Sequence, residues 1–274
     1  MLLGLCWTIK KVKMNKVCLI VNSFDATELL DLCIKQVRDH VDFVLLSTQE
    51  KSYNGVLCSE EDEARYLELH EKGIIDAVIT YDVDNRPMRV QEWDKRNKSL
   101  KYARDLGYSH AIMVDEDEIY DTNQFAKAKE MFFNKGLAAS YVRYVNYYKD
   151  FHHVIDHPSK DAVVPFIQST SLQYNYGGHA PAPCDPTRRI LNPVSEGYIF
   201  DRSVIEMHHA SWIRNDIRKK IRNWSAKDSF SKRELKEVIS KWENWKEGDR
   251  AKILFKGKPN CKVTKVERKI DFEL

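Results

Sequence analysis

Three short apolar runs, "KVCLIVN" at Lys16–Asn22, "DFVLLST" at Asp42–Thr48 and "DAVITYD" at Asp76–Asp82, are separated from one another by segments of helical character. Runs of this length, rich in β-branched residues and bounded by polar loops, read as strands buried on both faces. Between the first two, "DATELLDLCIKQVRDH" sets Leu29, Leu30, Cys33, Ile34 and Val37 at helical spacing behind Asp25 as cap, with Glu28 three residues on. Between the second and third, "SEEDEARYLELHEKG" reads as a polar helix stopped at Gly73. Parallel neighbours need a crossover long enough to hold a helix, so this alternation commits the chain to a Rossmann-like α/β start.

The alternation continues through a long helix, "MRVQEWDKRNKSLKYARDLG", stopped at Gly107, into the strand "SHAIMVD" and the helix "TNQFAKAKEMFFNKG". Two aromatic-rich segments, "AASYVRYVNYY" and "DAVVPFIQ", then read as antiparallel strands, which makes the expected sheet mixed. Residues 173–193, dense in Gly and Pro, read as one long loop whose "YNYGGHAP" could close as a flap. No GxGxxG follows the first strand and no GxxxxGK[ST] occurs, so a nucleotide would be held without either glycine-rich phosphate loop.

With 43% hydrophobic and 31% charged residues among 274, the chain can bury a sizeable core, and a net charge of +3 does not by itself call for nucleic acid. The six cysteines are scattered and none has CxxC spacing, which points to a reducing, cytoplasmic setting rather than a disulfide framework. "MLLGLCW" is too short to span a bilayer, and no transmembrane segment is expected. "MNKVCLIVNSF" reads like a protein start, so residues 1–13 are expected to be an extension, 14–212 the catalytic domain and 213–274 a basic helical extension packed on it.

The strand "SHAIMVD" runs into "DEDE", Asp115–Glu118. On an extended strand Asp115 and Asp117 would share a face while Glu116 and Glu118 point away. In open α/β sheets ligands sit beyond the carboxyl ends of strands, where these acids lie. Two carboxylates this close invite a hard divalent ion, Mg2+ or Mn2+, which commonly shares its shell with substrate phosphates. An acidic run is more often a solvated surface, and position after a buried strand is what shifts the weight toward function.

Taken together, the strand and helix order and "KRNKSLKYARDLGYSHAIMVDEDE" resemble the nucleotide-sugar-binding half of GT-A-type glycosyltransferases, especially the family 2-like enzymes, over about residues 16–125. The resemblance implies a GT-A fold, with a mixed central sheet flanked by helices, and a DxD motif at Asp115-Glu116-Asp117. It implies that Asp117 binds the metal and that Asp115 meets the donor ribose or the metal. Asn22 or Ser23 and Gln49 or Glu50 would line the nucleotide pocket, and Arg96 would face the nucleotide or diphosphate unless it is a surface ion-pair residue. A weaker match at "HHASWIR" implies a third metal ligand, His209 in preference to His208, since on a strand only one of two adjacent histidines can reach the ion. The implied donor is a nucleoside-diphosphate sugar, with a UDP-sugar favoured.

Arg214, Lys219 and Lys220 could neutralise a leaving diphosphate. An inverting reaction also needs a base, for which Glu196, Asp185 and Asp156 are candidates. The histidines of "FHHVIDH" lack a zinc spacing. From Arg214 to Lys241, ten Lys and Arg face four Asp and Glu. A packed and solvated face is the more frequent meaning of such an excess; if it is functional, it suggests a polyanionic hydroxyl acceptor such as a nucleic acid with hydroxylated bases, or a lipid-linked carrier, and a glycan is the other acceptor class in view. Two rival functions are a sugar nucleotidyltransferase and a non-enzymatic nucleic-acid-binding module.

Overall fold

A computed structural model of the chain describes residues 15–157, 161–191, 197–224, 227–254 and 260–267. The expected extension at 1–13 and Glu196 lie outside these residues. The first half is β1 (Val17–Asn22), α1 (Leu30–Lys35), β2 (Phe43–Thr48), α2 (Glu60–Glu71), β3 (Ala77–Thr80), α3 (Met88–Asp105), β4 (His110–Asp115), β5 (Glu118–Tyr120) and α4 (Thr122–Asn134). The second half is β6 (Ala139–Tyr148), β7 (Asp150–Ile155), β8 (Val163–Ser169), β9 (Tyr174–His179), β10 (Tyr198–Ile199), β11 (Met207–Trp212), α5 (Ile217–Asn223), α6 (Lys232–Glu243), β12 (Ala251–Lys252), β13 (Asn260–Cys261) and β14 (Val263–Lys265).

The α/β architecture with a mixed central sheet flanked by helices is present. Its strand order is β14-β7-β6-β8-β4-β1-β2-β3, with β4, β1, β2 and β3 mutually parallel and β8 antiparallel to β4. Every residue of β1 is buried, as a strand covered on both faces requires. The chain runs outward from β1 to β2 and β3, then returns to place β4 on the other side of β1. This reversal leaves a crevice beyond the ends of β1 and β4, where Asn22 and Asp115 are register partners.

Three local expectations are overturned. Asp25 is not a helix cap: α1 begins at Leu30, Asp25 has φ 53°, and its carboxylate accepts from the Ser59 backbone N–H and from Asn223. The segment 173–193 is not one loop, since it holds β9 and a turn of 3-10 helix at Pro186–Arg188. Nor is its start a loose flap. Asn97 on α3 receives the Tyr174 N–H and donates to the Tyr174 carbonyl, and Trp93 donates to the same carbonyl.

The C-terminal segment packs rather than floats. Ile217, Ile221, Val238 and Trp242 join Tyr148, Ile155 and Trp212 in a hydrophobic cluster of their own. Among the described residues no helix is long and apolar enough to cross a membrane.

Candidate functional site

Strand β4 ends at Asp115 because its ladder with β1 ends there, and Glu116-Asp117 form a turn before β5. The expectation of a shared strand face for Asp115 and Asp117 therefore fails for a physical reason: no pleat extends past Asp115. Glu116 does not point away but lines the same cavity as its two neighbours, while Glu118, 4% exposed, turns inward onto Arg188.

The two aspartates are held by separate cations. Arg96, reaching in from α3, contacts Asp115 at 3.1 Å, and Arg188 binds Asp115 and, at 2.8 Å, Glu118. Burial opposes charge on Asp115, but Arg188 and Arg96 outweigh it and hold the carboxyl below its ordinary value. Asp117 binds Arg214, and Lys220 donates to it at 3.1 Å. Burial is again outweighed, here by Lys220, Arg214 and His209, and Asp117 stays ionised. Glu116 is pushed up by burial and by Asp117.

The adjacent histidines separate as strand geometry demands. On β11, His208 is buried and shares a 2.8 Å hydrogen bond with the Tyr147 hydroxyl. His209 faces the acids, with Nε2 3.6 Å from Asp117 Oδ1. Its Nδ1 is 2.8 Å from Asn146 Oδ1, an acceptor, which places the ring proton on Nδ1 and leaves Nε2 as a bare lone pair. Burial lowers the His209 pKa to about 4, so the ring is neutral near pH 7. A lone pair and a carboxylate oxygen thus face each other with no proton between them.

No group of three or more His, Cys, Asp or Glu among the described residues could hold a metal by itself. Asp117 and His209 nevertheless fit an Mn2+ or Mg2+ ion that completes its shell with substrate and water oxygens, since a hard cation accepts carboxylate and imidazole together. Asp115 fits less well as a ligand, because arginines occupy both of its oxygens.

The acids open onto a cavity of about 760 Å³ at the β1/β4 crevice. Asn22 lines it, and both polar atoms of its amide are buried without a hydrogen-bond partner. Arg96 is 3% exposed, not a surface residue, and its Nε and Nη1 also lack partners. Ser23 is at the wall but is engaged with the Tyr66 hydroxyl at 2.9 Å. Glu50 is exposed and outside the cavity; Gln49 lines it instead and accepts from Lys95 at 3.3 Å. Ten acidic residues against six Lys and Arg line the space, so a diphosphate entering it would lack counter-charge without an added cation.

Of the other candidates, Arg214 is at the centre, bound to Asp117 and, at 3.1 Å, to Glu28. Asp185 lies at the mouth, where its Oδ1 accepts from Thr187 and caps the short 3-10 turn. Asp156 lines neither of the two large cavities. Sequence reasoning missed Arg188, Lys95 and the buried acids Asp25 and Asp62. Lys95 carried a signal: Gln91, Lys95 and Ser99 are spaced four apart, so three polar residues share one buried face of α3.

No family model matches the sequence, and no curated protein matches it. Among solved structures, residues 1–349 of S. aureus TarS share 12% identity at a TM-score of 0.36, over 48% of this chain and 36% of that one. The same TarS fragment with UDP-GlcNAc shares 16% at 0.35, over 48% and 35%. Mannose-1-phosphate geranyltransferase from Thermus thermophilus shares 10% at 0.32, over 52% and 45%. The chain thus spans less than half the length of each.

Proposed function

We propose that the protein is a metal-dependent glycosyltransferase of GT-A type that moves a sugar from a nucleoside-diphosphate sugar, a UDP-sugar in the favoured case, to a hydroxyl acceptor. The observation that carries this reading is the pair formed by the bare Nε2 of His209 and ionised Asp117, 3.6 Å apart in a cavity short of positive charge. A bound divalent ion would supply the charge that makes a diphosphate a tolerable leaving group.

The chain's own groups do the rest. Arg214 and Lys220, already at Asp117, stand where charge develops on the departing diphosphate. The unpartnered amide of Asn22 reads the nucleoside, and the free guanidinium nitrogens of Arg96 bind ribose or phosphate oxygens. Asp115, locked between two arginines, orients Arg96 rather than the ion. Asp185, on the rim, takes the proton of the acceptor hydroxyl as that oxygen bonds to the anomeric carbon and the bond from that carbon to the diphosphate oxygen breaks on the opposite face, a single displacement that inverts the centre.

The basic segment supports no separate nucleic-acid module. Five of its ten cations bind acids of the protein itself: Arg214, Arg218 with Glu243, Lys219 with Asp62, Lys220, and Arg222 with Asp25.

The test is turnover of a panel of UDP- and GDP-sugars with Mn2+ or EDTA, read as release of nucleoside diphosphate. Metal-dependent release with one donor, lost in Asp117→Asn, is the expected result. No nucleotide-dependent response to any donor would sink the assignment.

A further inference from the structure

The cleft continues past His209. Asp185, His209, Ser211, Lys220 and Trp224 line the donor cavity on one side and a second cavity, of about 380 Å³, on the other. Whatever occupies the second space therefore meets the first at the wall that holds Asp185 and His209. Its character is different. Tyr144, Trp212 and Trp224, from three separate elements, supply aromatic surface, and Ile221, Ile253 and Leu254 supply aliphatic surface. A few polar groups are set among them, Asn146 and His157 in particular.

Charge decides which molecule fits. Among the described residues lining this cavity, Lys220 is the one Lys or Arg and Asp185 the one acid, and Lys220 is already bonded to Asp117. A phosphodiester chain brings one negative charge with each phosphate, and among the described residues of this lining a single Lys stands against a single Asp, so they offer it no net positive charge. A pyranose has what the walls ask for: an apolar C–H face for the aromatic rings and hydroxyls for a small number of fixed polar groups.

We propose that the second cavity is the acceptor pocket and that it takes an uncharged sugar ring, so that the transferred sugar extends a neutral glycan rather than a nucleic acid or a charged carrier. The inference rests on the glycosyltransferase reading for the word acceptor; the ligand class rests on the cavity alone.

Saturation-transfer NMR on the whole chain, without donor, tests it with methyl glycosides, short neutral oligosaccharides, free nucleosides and a single-stranded oligonucleotide, each at low and high salt. The expected result is a neutral glycoside that binds indifferently to salt, at least tenfold more weakly in Leu254→Trp, which fills the cavity, and more weakly in Tyr144→Ala. Unfolding of each variant by heat reports whether its fold is intact, and either folded variant suffices. Binding by no glycoside, glycoside binding that survives both substitutions, or a salt-sensitive oligonucleotide displaced by them would each overturn the proposal. Glycoside binding here alongside no donor response in the turnover panel would sink the transferase reading and leave the sugar pocket standing.

Discussion

His209 and Lys95 show how single side chains take their chemistry from their surroundings. Asn146 fixes the His209 tautomer, and such outer partners of a ligating histidine typically account for 10–100-fold in metal affinity. Asn146→Leu is accordingly expected to weaken Mn2+ binding by about that factor, measured by calorimetry with UDP present, while the fold stays intact. Burial, with Arg96 beside it, pulls Lys95 from 10.5 down to about 7. Between these two values the unfolded chain holds the proton and the folded chain does not, so stability rises with pH across that window and the buried charge exerts its full penalty below it. Lys95→Met should flatten this slope; denaturant unfolding near pH 7 and near pH 10 reads it, and an equal slope in the variant would refute the assignment.

At the scale of elements, α5 ties the two halves of the chain across the cavity beyond β1 and β4. Lys219 bonds Asp62 and approaches Asp25 at 3.0 Å, Asn223 donates to Asp25 at 2.6 Å, and Asp216 caps the helix start. Both acids are buried, at 3% for each residue; without Lys219, Arg222 still lies 3.6 Å from Asp25, but Asp62 is left as uncompensated charge. Lys219→Met is expected to lower stability by about 3 kcal/mol, read from the denaturation midpoint, whereas removing the exposed, solvent-screened pair Arg218–Glu243 should leave the midpoint nearly unchanged. α3 is the complementary case. Its buried face divides between two tasks: Lys95 and Arg96 line the cavity, while Leu100 and Ala103 pack in the core.

For the whole molecule, the proposed assembly of donor and ion predicts a coupled stabilisation. UDP with Mn2+, at about 100 times its dissociation constant, should add about 2.7 kcal/mol, or roughly 5–10 °C in Tm for a chain of this size. UDP with EDTA should not. A shift of equal size under both conditions would remove the ion from the mechanism. Burial also holds His157 at about 4, below its ordinary 6.5, so acid between these values favours the unfolded chain, which binds the proton that the folded chain refuses.

What the sequence determined by itself follows from local periodicity. The parallel core β1, β2, β3 and β4, with α2, α3 and α4, was legible because burial on two faces selects apolar β-branched runs and helices write their period into the chain. The opposition of His208 and His209 was legible for the same reason, the two-residue repeat of a strand. The tertiary structure decided whatever depends on partners distant in sequence. Where the pleat stops at Asp115 is set by the end of its ladder with β1. Arg188 reaches Asp115 from 73 residues away, out of a segment whose Gly and Pro content read as loop. Asp25, at helix-cap distance from Glu28 in sequence, serves Ser59 and Asn223 instead. A buried charge is assigned by which opposite charge the fold brings to it, and no local pattern of residues encodes that pairing.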